Sequence, residues 1–299
     1  MSIVGLINVN KPPGITSRDV VDRVARVTGQ RKAGHAGTLD PAATGVLVVS
    51  LGWCTRLIEY VQGRPKRYRA TFHFGQTSPS DDRETEVTLR HDLPRPTLSQ
   101  IEQALPAFTG QIMQRPPAFS AMKIKGKRAY LLARKGREVE LEPRPVQIYG
   151  LSVVQYAFPE LVLDIECGQG TYIRSLGRDL AEQLGTVALM SELERTAIGS
   201  FVVADACPWS DVDADRIMPW VMPPRRAIND MPTITVSDDD RAEIALGRPI
   251  KSPPLSVESP EYAVLDQTGT LIGIMAPDEP GRLRVIRSFC VENGSSTLS

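Results

Sequence analysis

The segment from residue 34 to residue 45, GHAGTLDPAATG, gathers three glycines, a proline, one histidine and one aspartate between basic residues and an apolar run. That is the texture of a loop that holds a site. No GK[ST] follows, so it is not a phosphate-cradling P-loop, and no second histidine stands at metalloprotease spacing. Its one carboxylate, Asp40, could serve as a nucleophile. An aspartate before proline is, however, more often a turn-former than a catalyst, so these residues by themselves leave Asp40 undecided.

The flanking sequence supplies elements to hold such a loop. GLINVNKPPGITS reads as a short strand entering a Pro-Pro-Gly turn, with Ser17 as N-cap of an amphipathic helix over 19–28 whose buried stripe is Val20, Val21, Val24 and Val27. VLVVSLG (46–52) reads as a buried strand and 55–61 as a short helix. KRYRATFHFG (66–75) alternates Tyr68, Ala70, Phe72 and Phe74 with polar neighbours, the mark of a strand with one wet face. A polar loop (QTSPSDDRET) follows, then a helix over 98–108 capped by Thr97 or Ser99 and ended or kinked by Pro106. Strands are expected at 148–156 and 161–167, then a helix of about 12 residues in GQGTYIRSLGRDLAEQLG. The 205–230 span lacks periodicity. Beyond a boundary near Ile228, short strands at 234–236, 262–266, 271–275 and 283–288 suggest a small, mostly β barrel. Strands alternate with helices without repeating βαβ spacing or a dinucleotide fingerprint, which favours an α+β domain on an antiparallel or mixed sheet.

At 299 residues the chain is long enough for one large domain and a smaller one. Apolar residues make up 41% and charged residues 23%, as in ordinary globular proteins. The four cysteines are scattered without CxxC spacing, against a disulfide framework or zinc knuckle, and the three histidines give little support for a metal centre. No apolar run reaches the length of a membrane helix and the N-terminus has no signal-peptide pattern, so a cytoplasmic location is expected. The formal net charge of zero hides a division: residues 1–150 hold 23 Lys+Arg against 13 Asp+Glu, or +10, and residues 151–299 hold 12 against 22, or −10. The N-terminal half has the balance of a polyanion-binding surface, although segregated charge also serves domain docking. Between Arg115 and Arg144 lie nine basic and three acidic residues with Phe119 and Tyr130, an excursion suited to touching RNA or to forming a solvated face.

GHAGTLDPAATGVLVV closely resembles the catalytic motif of the bacterial tRNA pseudouridine synthase B family, which modifies uridine 55 in the TΨC arm of tRNA. NKPPGITS (10–17), KRYRA (66–70), FSAMKIKGKRAYLLARKG (119–136), GTYIRSLGRDL (170–180) and LMSELERT (189–196) resemble that family's blocks in the family's order. The resemblance spans nearly all of the N-terminal two thirds. It implies a pseudouridine synthase-type α+β catalytic domain over 1–228 with a central mixed or antiparallel sheet and a thumb insertion at 115–144. A small, mostly β PUA-like RNA-binding domain over 229–292 and a disordered tail over 293–299 would complete the chain.

By position, Asp40 resembles the catalytic aspartate, and Tyr68 the tyrosine that stacks on the flipped base and is a candidate for removing the C5 proton. Arg174 resembles the arginine that pairs with the aspartate and favours its ionised form. His35 is expected to bind rather than catalyse, stacking on neighbouring nucleotides. Tyr172 and Leu193 resemble walls of the uracil pocket, and Asp82 an acidic loop position near the substrate. Lys11 and Arg195 are structural or RNA-facing candidates. The expected partner is the T-arm stem-loop of tRNA, bound by a monomer without metal or other cofactor. Two further readings are an RNA-binding or tRNA-folding protein on the same scaffold and a guide-RNA-dependent relative. The Asp40, Tyr68 and Arg174 set argues against the first, the long thumb against the second.

Overall fold

The computed structural model describes residues 3–119, 123–124, 127–128, 141–255 and 257–290. Its frame is a central mixed sheet with the strand order Gly5–Lys11, Thr44–Leu51, Ala188–Ile198, Lys66–Phe74, Glu160–Cys167, Arg144–Ala157 and Gly110–Gln114. Every neighbouring pair along this path is antiparallel except one. The Ala188–Ile198 strand runs parallel to Thr44–Leu51 only through Glu194 opposite Thr44 and Arg195 opposite Gly45. The glycine-rich loop enters the sheet at this short junction. Gly45 has φ +95°, and a β-carbon there would lie 3.0 Å from the Arg195 amide nitrogen and closer still to its carbonyl. Only glycine lets the two backbones approach in this way.

The sheet is covered on both faces at the Gly5–Lys11 and Thr44–Leu51 end and on one face beyond it. Tyr68, Ala70, Phe72 and Phe74, the inward-facing set of their strand, pack with Ile173, Leu176 and Leu180 of the Ile173–Gln183 helix and Ile101 and Ala104 of the Leu98–Ala104 helix. Val20, Val21 and Val24 of the Ser17–Val27 helix pack on Ile7, Val9, Leu47 and Val49. Val46 and Val48, on the other side of the same strand, join Leu6, Trp53 and Leu57. Burial on both faces explains why 46–49 reads as an unbroken apolar run, whereas Lys66–Phe74 alternates.

The first helix is capped one residue earlier than expected. Thr16 is the N-cap and Asp19 completes a capping box, while Ser17 is buried within the first turn. The expected 98–108 helix is α-helical through Ala104 and tightens to a 3₁₀ turn over Leu105–Phe108, where Pro106 cannot donate an i→i−4 bond. The aperiodic 205–230 stretch forms short 3₁₀ turns that lie along the Gly5–Lys11 strand, Leu6 and Met222 exchanging two backbone hydrogen bonds of 2.9 and 2.8 Å. It is packed structure, without the character of a free linker.

The C-terminal strands form a second, five-stranded sheet in the order Thr233–Thr235, Tyr262–Leu265, Leu271–Pro277, Arg282–Ser288 and Ile250–Lys251, with a parallel pair at its first edge. A helix over Asp238–Ala245, unanticipated from its polar sequence, accompanies it. Trp53 stacks on Phe289 with ring centroids 4.4 Å apart, and Ala263, Leu265 and Ile274 join the cluster around Leu57 and Ile228, so the two sheets share apolar contacts. The 293–299 tail and most of the 115–144 excursion lie outside the described residues. Among described residues, no helix is long and apolar enough to cross a membrane.

Candidate active site

Asp40 sits on a loop fastened from behind by three side chains. Lys11, fully buried, donates its ammonium to the carbonyls of Pro12 (2.9 Å), Pro41 (3.0 Å) and Ala43 (2.6 Å). Burial draws its pKa down to about 8, with Asp40 pulling the other way and Arg195 adding to the fall. Arg195, 1% exposed, donates to Val46 (2.8 Å), Gly37 (3.0 Å) and Thr38 (3.4 Å) carbonyls. Ser17 Oγ donates to the Leu39 carbonyl at 3.0 Å and accepts from the Leu39 N–H at 2.9 Å. Both Lys11 and Arg195 therefore lie behind the loop, where they cannot reach RNA. They hold the loop's carbonyls, and the RNA-facing alternative for them does not fit their burial. No sequence signal disclosed the Ser17 bond, because it joins residues 22 apart and its hydroxyl looked like a cap.

The Asp40 carboxylate projects outward, its side chain 45% exposed, and meets Arg174 with Oδ2 3.2 Å from Nη2. Arg174 is nearly buried and fully engaged. Nη1 lies 3.1 Å from Asp82 Oδ2 and donates to the Ser80 carbonyl at 2.9 Å, and Nη2 donates to the Phe119 carbonyl at 3.0 Å. Asp82 is itself fixed, Oδ1 accepting from Ser80 Oγ (2.6 Å) and the Glu84 N–H (2.8 Å). Loss of solvent in the crowded site pushes the Asp40 carboxyl above its ordinary value. Arg174 opposes that push, while Asp82 and Glu84 add to it.

Tyr68 and Leu193 come from adjacent central strands, Tyr68 opposite Arg195 and Leu193 opposite Ala70. Tyr68 is buried and Leu193 partly so, both in the cluster that includes Leu39 from the loop. Burial pushes the Tyr68 phenol up, and the neighbouring Arg195 guanidinium pulls it back. Tyr172 is the N-cap residue of the Arg174 helix, and its ring lies 5.2 Å beneath the Arg144 guanidinium. His35 ends the Ala33–His35 strand beside Thr44–Leu51. Burial, then Arg195, holds its imidazole below the ordinary value, which leaves it neutral at pH 7. The fold thus joins Asp40, Arg174 and Asp82 in one network, and packs Tyr68 and Leu193 in the cluster that holds Leu39 beside Asp40. Among the described residues, no group of three or more His, Cys, Asp or Glu could hold a metal ion.

The chain itself matches a known class: the family model for the TruB family pseudouridylate synthase N-terminal domain covers residues 25–173. The chain is 39% identical over 289 residues to tRNA pseudouridine synthase B of Dehalococcoides mccartyi strain 195, spanning 95% of this chain and 96% of that one. It is 38% identical over 300 residues to the enzyme of the same name from Caulobacter vibrioides, with 96% of each covered. It therefore belongs to the tRNA pseudouridine synthase B family and is an isomerase that makes pseudouridine in tRNA. Among solved structures, a Cbf5-Nop10-Gar1 complex contains a chain that superposes with a TM-score of 0.75 at 25% identity, over 95% of this chain and 84% of that one. The likeness accords with a pseudouridine synthase sheet followed by a small PUA-like unit.

Proposed function

We propose that the chain converts uridine 55 in the TΨC arm of tRNA to pseudouridine, with Asp40 as the nucleophile. The observation that carries this reading is a single carboxylate presented outward on a loop locked from behind, and met by a guanidinium that favours its ionised form. The bond from uracil N1 to ribose C1′ breaks, the ring turns, C5 bonds to C1′, and the C5 proton leaves as N1 gains one. Composition is conserved, so no co-reactant is needed.

Tyr68 would stack on the flipped uracil. Tyr68 is the candidate for taking the C5 proton, which requires its phenolate; burial opposes that form and the neighbouring Arg195 guanidinium favours it. Leu193 and Tyr172 would wall the pocket, and Asp82 would share Arg174 with the nucleophile. A neutral His35 suits stacking on a neighbouring base better than pairing with phosphate. The basic excursion over 115–144 would fold across the RNA arm, and the acidic unit over 229–292 would add a smaller RNA contact. The catalytic unit would span 1–228, acting as a metal-free monomer in the cytoplasm. A protein that only bound RNA would gain nothing from an aspartate facing a polyanion.

The test is to map pseudouridine in cellular tRNA with and without this chain. The expected result is loss of the modification at position 55 alone, and an unchanged position 55 would overturn the assignment.

A further inference from the structure

The Gly110–Gln114 strand ends at the point where the basic excursion leaves the sheet, and the Arg144–Ala157 strand begins where it returns. Gln114 and Arg144 stand opposite each other in the antiparallel register, so they form the neck of the excursion. Both side chains turn to the same short loop, the one that leads into the Arg174 helix.

Gln114 is 1% exposed and makes a two-bond clamp on one residue. Its Oε1 accepts from the Tyr172 N–H at 2.8 Å and its Nε2 donates to the Tyr172 carbonyl at 3.0 Å. Arg144 Nη2 donates to the Gly170 carbonyl at 2.6 Å, and the same guanidinium covers the Tyr172 ring. Tyr172 is an N-cap without a side-chain capping bond, so the first turn of this helix takes its position from the neck rather than from a local cap. The helix reaches back in turn. Ser175 Oγ and Arg178 Nη2 each donate to the Arg115 carbonyl at 2.9 Å, and Arg174 Nη2 donates to the Phe119 carbonyl at 3.0 Å. Every contact joins the start of the excursion, or its return, to the turn that carries Tyr172 and Arg174.

We propose that Gln114 and Arg144 are positioning residues for the isomerisation, a paired clamp that sets the Tyr172 ring and the Arg174 guanidinium and ties their placement to that of the RNA-binding excursion. The inference rests on the reading of Tyr172 and Arg174 as pocket residues. Neither clamp residue needs to touch the reacting atoms. Their effect is on geometry, where a shift of about 1 Å costs on the order of 100-fold in rate.

The experiment measures single-turnover release of tritium from C5-labelled uridine in a tRNA transcript, with tRNA affinity and a thermal melt for each variant. Gln114→Leu is expected to lower the rate at saturating tRNA by about 30-fold to 100-fold while leaving Kd within about threefold. A rate within about threefold of the parent, or a loss that saturating tRNA fully restores, overturns the proposal. Gln114→Glu provides a second arm in case the leucine variant does not melt cooperatively. Glutamate can accept from the Tyr172 N–H but can donate to its carbonyl only when protonated. Its rate relative to the parent should therefore rise as pH falls from about 8 to about 6, in the range reached by a buried carboxyl facing a carbonyl. A flat ratio overturns the clamp. Asp40→Asn is run beside them. Turnover by that variant removes the site reading itself, whereas a dead Asp40→Asn with a fully active Gln114→Leu removes only the clamp.

Discussion

Replacing Gly177 with alanine tests whether the helix that bears Arg174 is seated as closely as the structure shows. Gly177 is buried midway along Ile173–Gln183 and faces the ring of Phe72, itself 1% exposed in the core. A β-carbon at this position would lie 3.0 Å from Phe72 Cζ, with Cδ1 and Cε1 closer still. Carbon atoms pack best at about 3.5–4.0 Å, so helix and ring must separate by more than about 1 Å. In an open helix the change would stabilise by about 1 kcal/mol through backbone entropy. Overpacking here costs about 1–3 kcal/mol, so the expected net result is a loss of up to about 2 kcal/mol. Arg174 lies one turn away on the same face and holds Asp40 at 3.2 Å and Asp82 at 3.1 Å. Moving its helix by about 1 Å should cut the isomerisation rate on the order of 100-fold. Thermal melts and single-turnover tritium release read the two effects. A variant that melts higher than the parent and turns over at the full rate would refute the close-packing argument.

Two other perturbations address the loop and its charge. If Asp40 must be ionised to react, the rate should fall as pH drops, with a midpoint above the ordinary aspartate value of about 3.9, because crowding raises its carboxyl. Arg174→Met removes the opposing influence and should move the acid limb to higher pH, so a shift to lower pH in the pH–rate profile would contradict the assigned causes. Lys11→Met leaves the buried carbonyl of Ala43 without its 2.6 Å donor and loosens Pro12 and Pro41 as well. The expected cost is about 2 kcal/mol together with a slower reaction, read by denaturant unfolding and tritium release. An unchanged midpoint with full activity would show that the loop does not depend on this clamp.

Much of the scaffold is legible in the sequence where one periodicity runs uninterrupted. The alternation of Tyr68, Ala70, Phe72 and Phe74 works because one face of that strand meets the core and the other meets water. The Ala188–Ile198 strand, which carries Leu193 and Arg195, shows no such signal. Register shifts between Met190 and Glu192 and between Arg195 and Ala197 reset the side-chain phase twice within eleven residues. The Asp238–Ala245 helix was equally silent because Ile244 is the one residue of its length that is buried.

For the site, the family blocks pointed to Asp40, Tyr68 and Arg174 as residues but not to how they are held. The four groups around Arg174 come from Asp40, Ser80, Asp82 and Phe119, segments whose meeting depends on the fold rather than on spacing. Lys11 and Arg195 show the converse. Their charge left an RNA-facing role open beside a structural one, yet each is consumed by three backbone carbonyls in or next to the glycine-rich loop.

The central claim is that the Asp40 carboxylate performs the isomerisation while the basic N-terminal half binds the tRNA. The direct measurement is tritium release from C5-labelled uridine in a tRNA transcript by Asp40→Asn, beside its tRNA affinity. The expected result is no release, with affinity within about tenfold, or 1.4 kcal/mol, of the parent. Full release by the variant would contradict it.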